Sequence, residues 1–112
     1  MLQLTVLVKR NPALSIEEFH ERWREHGRMI AGEPGFRTMV RRYEQHHRAI
    51  VDYRNGDTFD GVAIQHYDDF DGFLAFLQEP AYAEKVQPDE QALLDMDKIV
   101  VLFTEAPETF IP

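Results

Sequence analysis

Two hydrophobic periodicities follow each other along the first third of the chain and predict a strand and then a helix. In residues 2–8, LQLTVLV, alternate positions are apolar, which is typical of a β-strand with one face in a core. Ser15 with Glu18 three residues later forms a capping-box pattern, and apolar residues then recur at helical spacing as far as about Ala31. The helix is expected to end before the Pro34–Gly35 turn.

The rest of the chain repeats this alternation of strand and helix patterns. The predicted elements are a strand over 36–46, a loop or irregular hairpin over 48–57, a strand over 59–67, a helix from Asp68 or Asp69 to Pro80, a short helix over 88–94 and a strand over 98–105. The order βαββαβ predicts an α+β, ferredoxin-like fold with one four-stranded antiparallel sheet and two helices on one side. At 112 residues, we expect a single domain over 1–112.

The first and last strands are apolar on both faces, and this determines how the sheet is expected to be covered. Helices on one side would leave the other side in water as a large apolar surface. A second copy of the same sheet is the natural cover, so we predict a homodimer, a dimeric α/β barrel in which two sheets enclose a shared interior. The Phe110–Ile111 tail is a candidate to reach over the neighbour. A monomer with a partly filled face is the alternative.

Composition and charge exclude several classes of function. Without cysteine the chain has no disulfide, thiol nucleophile or cysteine-ligated metal. The net charge of −8 argues against nucleic-acid binding, and no apolar run reaches the roughly 18 residues of a membrane span. The N-terminus has the pattern of a strand instead of a signal peptide, which favours a cytoplasmic protein. A small cationic cluster consists of Arg37, Arg41 and Arg42. Its side chains either orient an anionic substrate, pair with acidic residues of a second subunit or are solvated.

The histidines are the main candidates for chemistry. On a helical wheel His20 and His26 lie on opposite flanks of the apolar stripe, about 120° apart, so they cannot bind one metal ion, and no metal site is predicted. His26 precedes Gly27, which has no side chain to close the helix surface, so this imidazole is expected to border a cavity. The chain has no phosphate loop or nucleophile motif. A general acid–base set for one cleft would be His26, Tyr43, His46 and His66, although each also has an ordinary interpretation as a packed or boundary residue.

Four stretches together resemble one protein family over nearly the whole chain. The segment LVKRNPALSIEEFHERWREHG resembles the opening of EthD (ethyl tert-butyl ether degradation) domains, in which a strand leads through a proline-containing turn into a capped helix. RYEQHH is similar to the Arg-Tyr-x-Gln-x-His strand of that family, and FDGVAIQHYDD to its Asp-Gly strand. QPDEQALLD resembles its late Asp-Glu element, which an aspartate follows.

The resemblance implies a dimeric α+β barrel and a set of functional residues. Characterised members of the family include cofactor-independent lactone isomerases and polyketide-tailoring dehydratases or decarboxylases. By position, the resemblance implies His26 as the general acid–base residue, at the rim of the barrel interior, where Gly27 leaves room for a ligand. It implies Tyr43 and His46 as donors that polarise a substrate oxygen, and Asp95 as the late aspartate.

The expected substrate contacts follow from the same resemblance and from the aromatic content of the chain. Ile64 and His66 stand where the family carries other residues, so they are expected to form a distinct pocket wall. The full predicted substrate-binding set is Trp23, Ile64, His66 and Asp95.

The resemblance and the candidate residues together predict a cofactor-independent lyase or isomerase. It would dehydrate, decarboxylate or isomerise a small hydrophobic or phenolic compound by general acid–base catalysis. The alternative is a non-catalytic small-ligand-binding or accessory protein of an oxidative degradation pathway. A haem-degrading barrel of similar fold would need a dedicated axial histidine and a larger basic rim, and it is the least favoured alternative.

Overall fold

The computed structural model describes residues 1–49 and 58–112. These residues contain one sheet built from β1 (Leu2–Val8), β2 (Arg42–His47), β3 (Gly61–Tyr67) and β4 (Val100–Thr104). The strands are antiparallel and lie in the order β2–β3–β1–β4. The helices in the same ranges are α1 (Ile16–Ala31), α2 (Pro34–Arg37), α3 (Phe70–Gln78) and α4 (Gln87–Leu93), with a π-helical turn at Tyr82–Val86 before α4. The predicted ferredoxin-like α+β fold is confirmed.

Residues 50–57, which make up most of the predicted loop, lie outside the described residues. Within the two described ranges, no helix combines the length and the apolar character that a bilayer crossing requires.

Helix α1 begins where the capping box predicts and places four large side chains against the sheet. Ser15 N donates to Glu18 Oε1 and Glu18 N donates to Ser15 Oγ, both at 3.1 Å. The buried residues recur at steps of four, three and four: Phe19, Trp23, His26 and Ile30. His26 therefore lies within the buried stripe, two turns after Phe19, and not on its flank as the helical wheel predicted.

The second strand is shorter than predicted because the chain forms a helical turn first. Residues 36–46 were expected to be a strand, but α2 occupies Pro34–Arg37 and β2 begins at Arg42. Pro34 favours the first turn of a helix, where its missing N–H has no partner to lose. The turn buries Phe36, whose ring lies 4.7 Å from that of Phe76, so a tertiary contact overrides the local strand propensity.

Side-chain alternation divides the sheet into an inner face, which the helices cover, and an outer face. All inner positions of β3 are buried, whereas its outer positions are partly exposed. On β4 the outer residues Val100 and Leu102 are 46% and 58% exposed. The apolar residues of the outer face on three strands are Leu7, Val62, Ile64, Val100 and Leu102. One chain thus leaves an apolar sheet face uncovered, as the strand pattern predicts.

Gly61 is a position where the fold depends on the absence of a side chain. A Cβ atom there would lie 2.5 Å from Trp23 Cζ3 and 2.7 Å from the backbone oxygen of His46. Because Trp23 is buried and the strand backbone cannot retreat, we expect Gly61→Ala to lower the free energy of unfolding by about 1–3 kcal/mol in urea titrations.

Gly72→Ala is the matched control for Gly61→Ala. The nearest atom to a Cβ at Gly72 is Tyr67 Cβ at 3.6 Å, an ordinary van der Waals contact. Alanine also favours a helix, so this variant should be neutral or slightly more stable. Equal losses of stability in both variants would contradict the packing argument.

Candidate functional site

A cavity of about 210 Å³ lies between the inner face of the sheet and the helices, and we call it the inner cavity. Much of its wall is apolar, for example Val6 of β1, Ile30 of α1 and Phe76 of α3. Its polar lining consists of His26, Gln65, Tyr82 and Glu90. An apolar hollow with a few converging polar groups is the usual form of a small-molecule site.

His26 is buried and is held by a carboxylate from the other end of the chain. Its Nδ1 lies 2.6 Å from Asp89 Oδ2, and its side chain is 7% exposed. Asp89 comes from the first turn of α4, and its second oxygen lies 3.9 Å from Arg22 Nη2. A carboxylate accepts only, so in the neutral imidazole Nδ1 carries the hydrogen and Nε2 keeps the lone pair. The pair therefore fixes the tautomer and the orientation of His26.

Glu90, the residue after Asp89, is half-buried and places its carboxyl group in the inner cavity. Burial raises the pKa of Glu90, although the Tyr82 hydroxyl and the charge of His26 oppose the shift. Its Oε1 is buried without a hydrogen-bond partner. Burial and the neighbouring Glu90 also raise the pKa of Tyr82 above its usual value. A raised carboxyl pKa favours the protonated form, which can donate a hydrogen bond or a proton.

Strand β2 contributes three further polar side chains to the inner face. Tyr43, Gln45 and His47 alternate along the strand and therefore share this face. Gln45 Nε2 lies 3.3 Å from the Tyr43 hydroxyl oxygen. Burial raises the pKa of Tyr43 to about 12, and the charge of Glu90 contributes to the shift. Tyr43 lines an adjoining pocket beside Ile30, a residue that the two hollows share.

A larger, more open cleft of about 600 Å³ lies between α1 and the end of β2, and we call it the outer cleft. Its walls carry both signs of charge, with Glu17, Glu21, Arg24 and Arg28 exposed on α1. Exposed mixed charges are well solvated and bind a small apolar compound poorly. The inner cavity is therefore the better candidate site.

The structure brings together some of the predicted site residues. His26 lines the inner cavity, and Tyr43, on the same face of the sheet, lines the adjoining pocket. The prediction that His26 opens into an interior between two sheets is wrong, because α1 packs on the opposite side of the sheet from the outer face. Gly27 also serves a different purpose than predicted: a Cβ there would lie 2.7 Å from Gln45 Nε2, so this glycine makes room for Gln45 and not for a ligand.

Other predicted site residues lie away from the inner cavity. His46, Ile64 and His66 are on the outer face, because they occupy the alternate positions of β2 and β3; one cleft on one chain cannot hold them together with His26. His66 Nε2 bonds Gln3 Oε1 at 3.0 Å on that face. Within β2, alternation turns His47 inward instead of His46.

Trp23 and Asp95 also differ from their predicted place in the substrate site. Trp23 is 2% exposed and packs in the core against Phe19, with ring centroids 5.5 Å apart. Asp95 follows α4, where its N–H donates to Lys9 O at 2.8 Å, and it lines a separate depression beside Asn11. Both residues support the fold around the site instead of lining the inner cavity.

Four polar residues of the site were not singled out from the sequence. They are Gln65, Tyr82, Asp89 and Glu90. Asp89 and Glu90 stand in the Asp-Glu pair of the quoted QPDEQALLD segment, so a signal was present, but an acidic first turn of a helix is also ordinary capping chemistry. Within residues 1–49 and 58–112, no three metal-binding side chains converge.

Comparison with known proteins gives one family match. A family model described as the EthD domain matches residues 11–97. No functionally curated protein matches the chain by sequence.

Solved structures share the fold at low sequence identity. A dimeric protein with a ferredoxin-like fold from Bacteroides fragilis is 14% identical, with a TM-score of 0.72 and 94% of this chain and 95% of that chain covered. A DABB-family protein from Mesorhizobium loti is 12% identical, with a TM-score of 0.66 and coverage of 96% and 97%. The hydroxynitrile lyase of Passiflora edulis is 20% identical, with a TM-score of 0.68 and coverage of 98% and 96%. At these identities the similarity shows the fold.

Proposed function

The chain belongs to the EthD domain family, as its resemblance predicts, and we propose that it is a lyase or isomerase acting by general acid–base catalysis on a small, largely apolar organic compound. The observation that carries the proposal is one apolar cavity that holds both a carboxylate-oriented imidazole, His26, and a carboxyl group, Glu90, whose Oε1 is buried without a hydrogen-bond partner. The proposed reaction classes are dehydration, decarboxylation and isomerisation of a lactone, without a cofactor.

His26 is the proposed base. Asp89 accepts the Nδ1 hydrogen, so Nε2 is the nitrogen that can take a proton from a C–H or O–H group of the substrate. The carboxylate also stabilises the imidazolium that forms when the proton arrives. A dyad of this kind holds the ring in one orientation, which is the condition for efficient proton transfer.

Glu90 is the proposed acid. Its carboxyl group is protonated over a wider pH range than usual because burial raises its pKa. In a dehydration, His26 takes the proton next to a carbonyl group, Glu90 gives a proton to the departing hydroxyl, and water leaves. In an isomerisation, the same proton is returned to a different carbon atom. Protons balance in both cases, and no electrons are transferred to or from the protein.

Tyrosine hydroxyls are the proposed donors to the substrate oxygen. Tyr82 lines the inner cavity and contacts Glu90, and Tyr43 of β2 lines the adjoining pocket that shares Ile30 with the cavity. Their raised pKa values keep both hydroxyls protonated at neutral pH, so both can donate to an oxygen that gains negative charge. This arrangement supports the predicted role of Tyr43, whereas the geometry offers no such support for His46.

Incubation with a small panel in D₂O tests the proposal. The panel consists of mandelonitrile, a β-hydroxy ketone and an enol-lactone, and ¹H NMR follows both conversion and exchange of the acidic hydrogen. Mandelonitrile is included because a hydroxynitrile lyase shares the fold. We expect conversion or exchange for at least one class. Saturable binding of these compounds without exchange or conversion would favour the non-catalytic ligand-binding alternative instead.

We also propose that two copies pair through the outer faces of their sheets. The uncovered apolar residues of that face and the description of a structural relative as dimeric support this assembly. We expect light scattering after gel filtration to give twice the mass of one chain. Leu102→Glu, which places a charge on the outer face, should shift the protein to monomers. Leu74→Glu, on the exposed side of α3, is the control and should remain dimeric; monomers in the unmodified protein would contradict the assembly.

A further inference from the structure

A row of polar side chains connects the outer cleft to the buried Tyr43 hydroxyl. His20 Nδ1 lies 2.6 Å from His47 Nδ1, and His47 Nε2 lies 3.0 Å from Gln45 Oε1. Gln45 Nε2 lies 2.6 Å from the Trp23 carbonyl oxygen and 3.3 Å from the Tyr43 hydroxyl oxygen. Each link is within hydrogen-bonding distance.

The donors and acceptors in this row follow from its fixed members. A carbonyl oxygen only accepts, so the Trp23 carbonyl requires the amide nitrogen of Gln45 on its side, and Oε1 then faces His47. The amide nitrogen has two hydrogens, one for Trp23 and one for the Tyr43 oxygen. His47 therefore carries its hydrogen on Nε2, and its Nδ1 accepts from His20.

Both histidines of the row are held neutral at ordinary pH. Burial lowers the pKa of His47 to about 4, and the charges of His20 and Arg24 contribute to the shift. Burial likewise lowers the pKa of His20; Arg24 lowers it further, whereas Asp60 and Glu17 oppose the shift. A neutral pair keeps the single pattern of hydrogens described above, because neither ring gains a second N–H.

The pattern leaves one hydrogen unassigned, the hydroxyl hydrogen of Tyr43. The Tyr43 oxygen accepts from Gln45, so its own O–H must point elsewhere. Within residues 1–49 and 58–112, the hydrogen bond made by this hydroxyl is the one from Gln45 Nε2. Gly27 is part of the same arrangement, since any side chain there would collide with the Gln45 amide.

We propose that Gln45 is a positioning residue that holds the Tyr43 hydroxyl as an acceptor, so that its hydrogen is free to donate to the substrate oxygen. His47 in turn fixes the orientation of the Gln45 amide. The inference rests on the proposed function in one respect: the group that accepts the Tyr43 hydrogen is taken to be the substrate oxygen. The direction of the Gln45–Tyr43 hydrogen bond can be measured without any substrate.

Fluorine NMR of protein labelled with 3,5-difluorotyrosine provides that measurement. Ring fluorination brings the titration into an accessible pH range, and the Tyr43 signal is assigned as the one that disappears in Tyr43→Phe. A donor to the phenolate lowers a tyrosine pKa, so Gln45→Met should raise the Tyr43 midpoint by about one pH unit. An unchanged midpoint would overturn the proposal.

Two further variants separate this effect from general disturbance. Gln3→Met removes an equivalent glutamine–histidine bond on the outer face, to His66, and should leave the Tyr43 midpoint unchanged. Gly27→Ala displaces the Gln45 amide without removing it and should raise the midpoint in the same direction. If Gln45→Met does not fold, Gly27→Ala alone decides the question.

A kinetic arm separates failure of this inference from failure of the proposed function. On any panel compound that reacts, Gln45→Met should lower kcat about tenfold with little change in KM, and should have no further effect in a Tyr43→Phe background. An equal effect in both backgrounds would overturn the positioning role even if turnover is observed. If no panel compound turns over but the Tyr43 midpoint shifts in Gln45→Met, the proposed function is contradicted. The proposed direction of the Gln45–Tyr43 hydrogen bond is then still supported.

Discussion

His26→Gln is expected to lower kcat by about 10²–10⁴-fold, the usual contribution of a general base, with a much smaller change in KM. The variant keeps a polar side chain of similar reach but removes the nitrogen that accepts the substrate proton. The measurement is the initial rate on the panel compound that reacts, together with its exchange rate in D₂O, because exchange reports proton abstraction alone.

His46→Gln is the matched control for this prediction. It is the same substitution at a histidine on the outer face of β2, on the far side of the sheet from the inner cavity. Asp89→Asn provides an intermediate case, because it keeps an oxygen near His26 Nδ1 and removes the charge. We expect its kcat to fall less than that of His26→Gln. If His26→Gln retains a rate within twofold of the unmodified protein, His26 is not the base.

Glu90→Gln is expected to have opposite effects on activity and on stability. The amide cannot supply a proton, so kcat should fall by about 10²-fold or more if Glu90 is the acid. The same change removes a carboxyl group that is costly to ionise in its buried position, so the folded protein should become more stable at neutral pH. Opposite signs of this kind are typical of residues kept for function at the expense of stability.

The pH dependence gives the sign of the stability effect of Glu90→Gln. A carboxyl whose folded pKa is raised stabilises the fold fully below its unfolded value, here 4.5, and this contribution is lost as the pH rises through the folded pKa. The unfolding free energy of the unmodified protein should therefore fall as the pH rises through this window, and that of Glu90→Gln should not. Urea titrations at several pH values between 4 and 8 measure how the unfolding free energy of each protein changes with pH.

Glu25→Gln is the control for the stability measurement. Glu25 is exposed on α1, so neutralising it removes the same charge without relieving a buried group. Its unfolding free energy should follow that of the unmodified protein across the pH range. Should Glu90→Gln show the same slope as Glu25→Gln, the carboxyl of Glu90 would have no unusual cost of ionisation in the folded state.

The order of elements and the ends of α1 were predictable because they depend on short-range interactions. A capping box involves residues three apart, and a helical stripe repeats over a few turns, so the sequence pattern of α1 contains what the helix needs. Alternation along β1 and β3 likewise indicates two distinct faces. The uncovered outer face followed from the same pattern.

What the sequence by itself determined is therefore the ferredoxin-like order of elements, the faces of its strands and the candidacy of His26. The tertiary structure alone decided which polar groups meet, since Asp89 is 63 residues from His26 in the chain and reaches it only when α4 packs beside α1. It also decided that His46 and His66 lie on the far side of the sheet from His26 and that Glu90 Oε1 is buried. The physical reason is that sequence periodicity determines the local conformation and the face on which each side chain lies. The desolvation of a side chain and its pairing with distant residues depend on how those faces pack together.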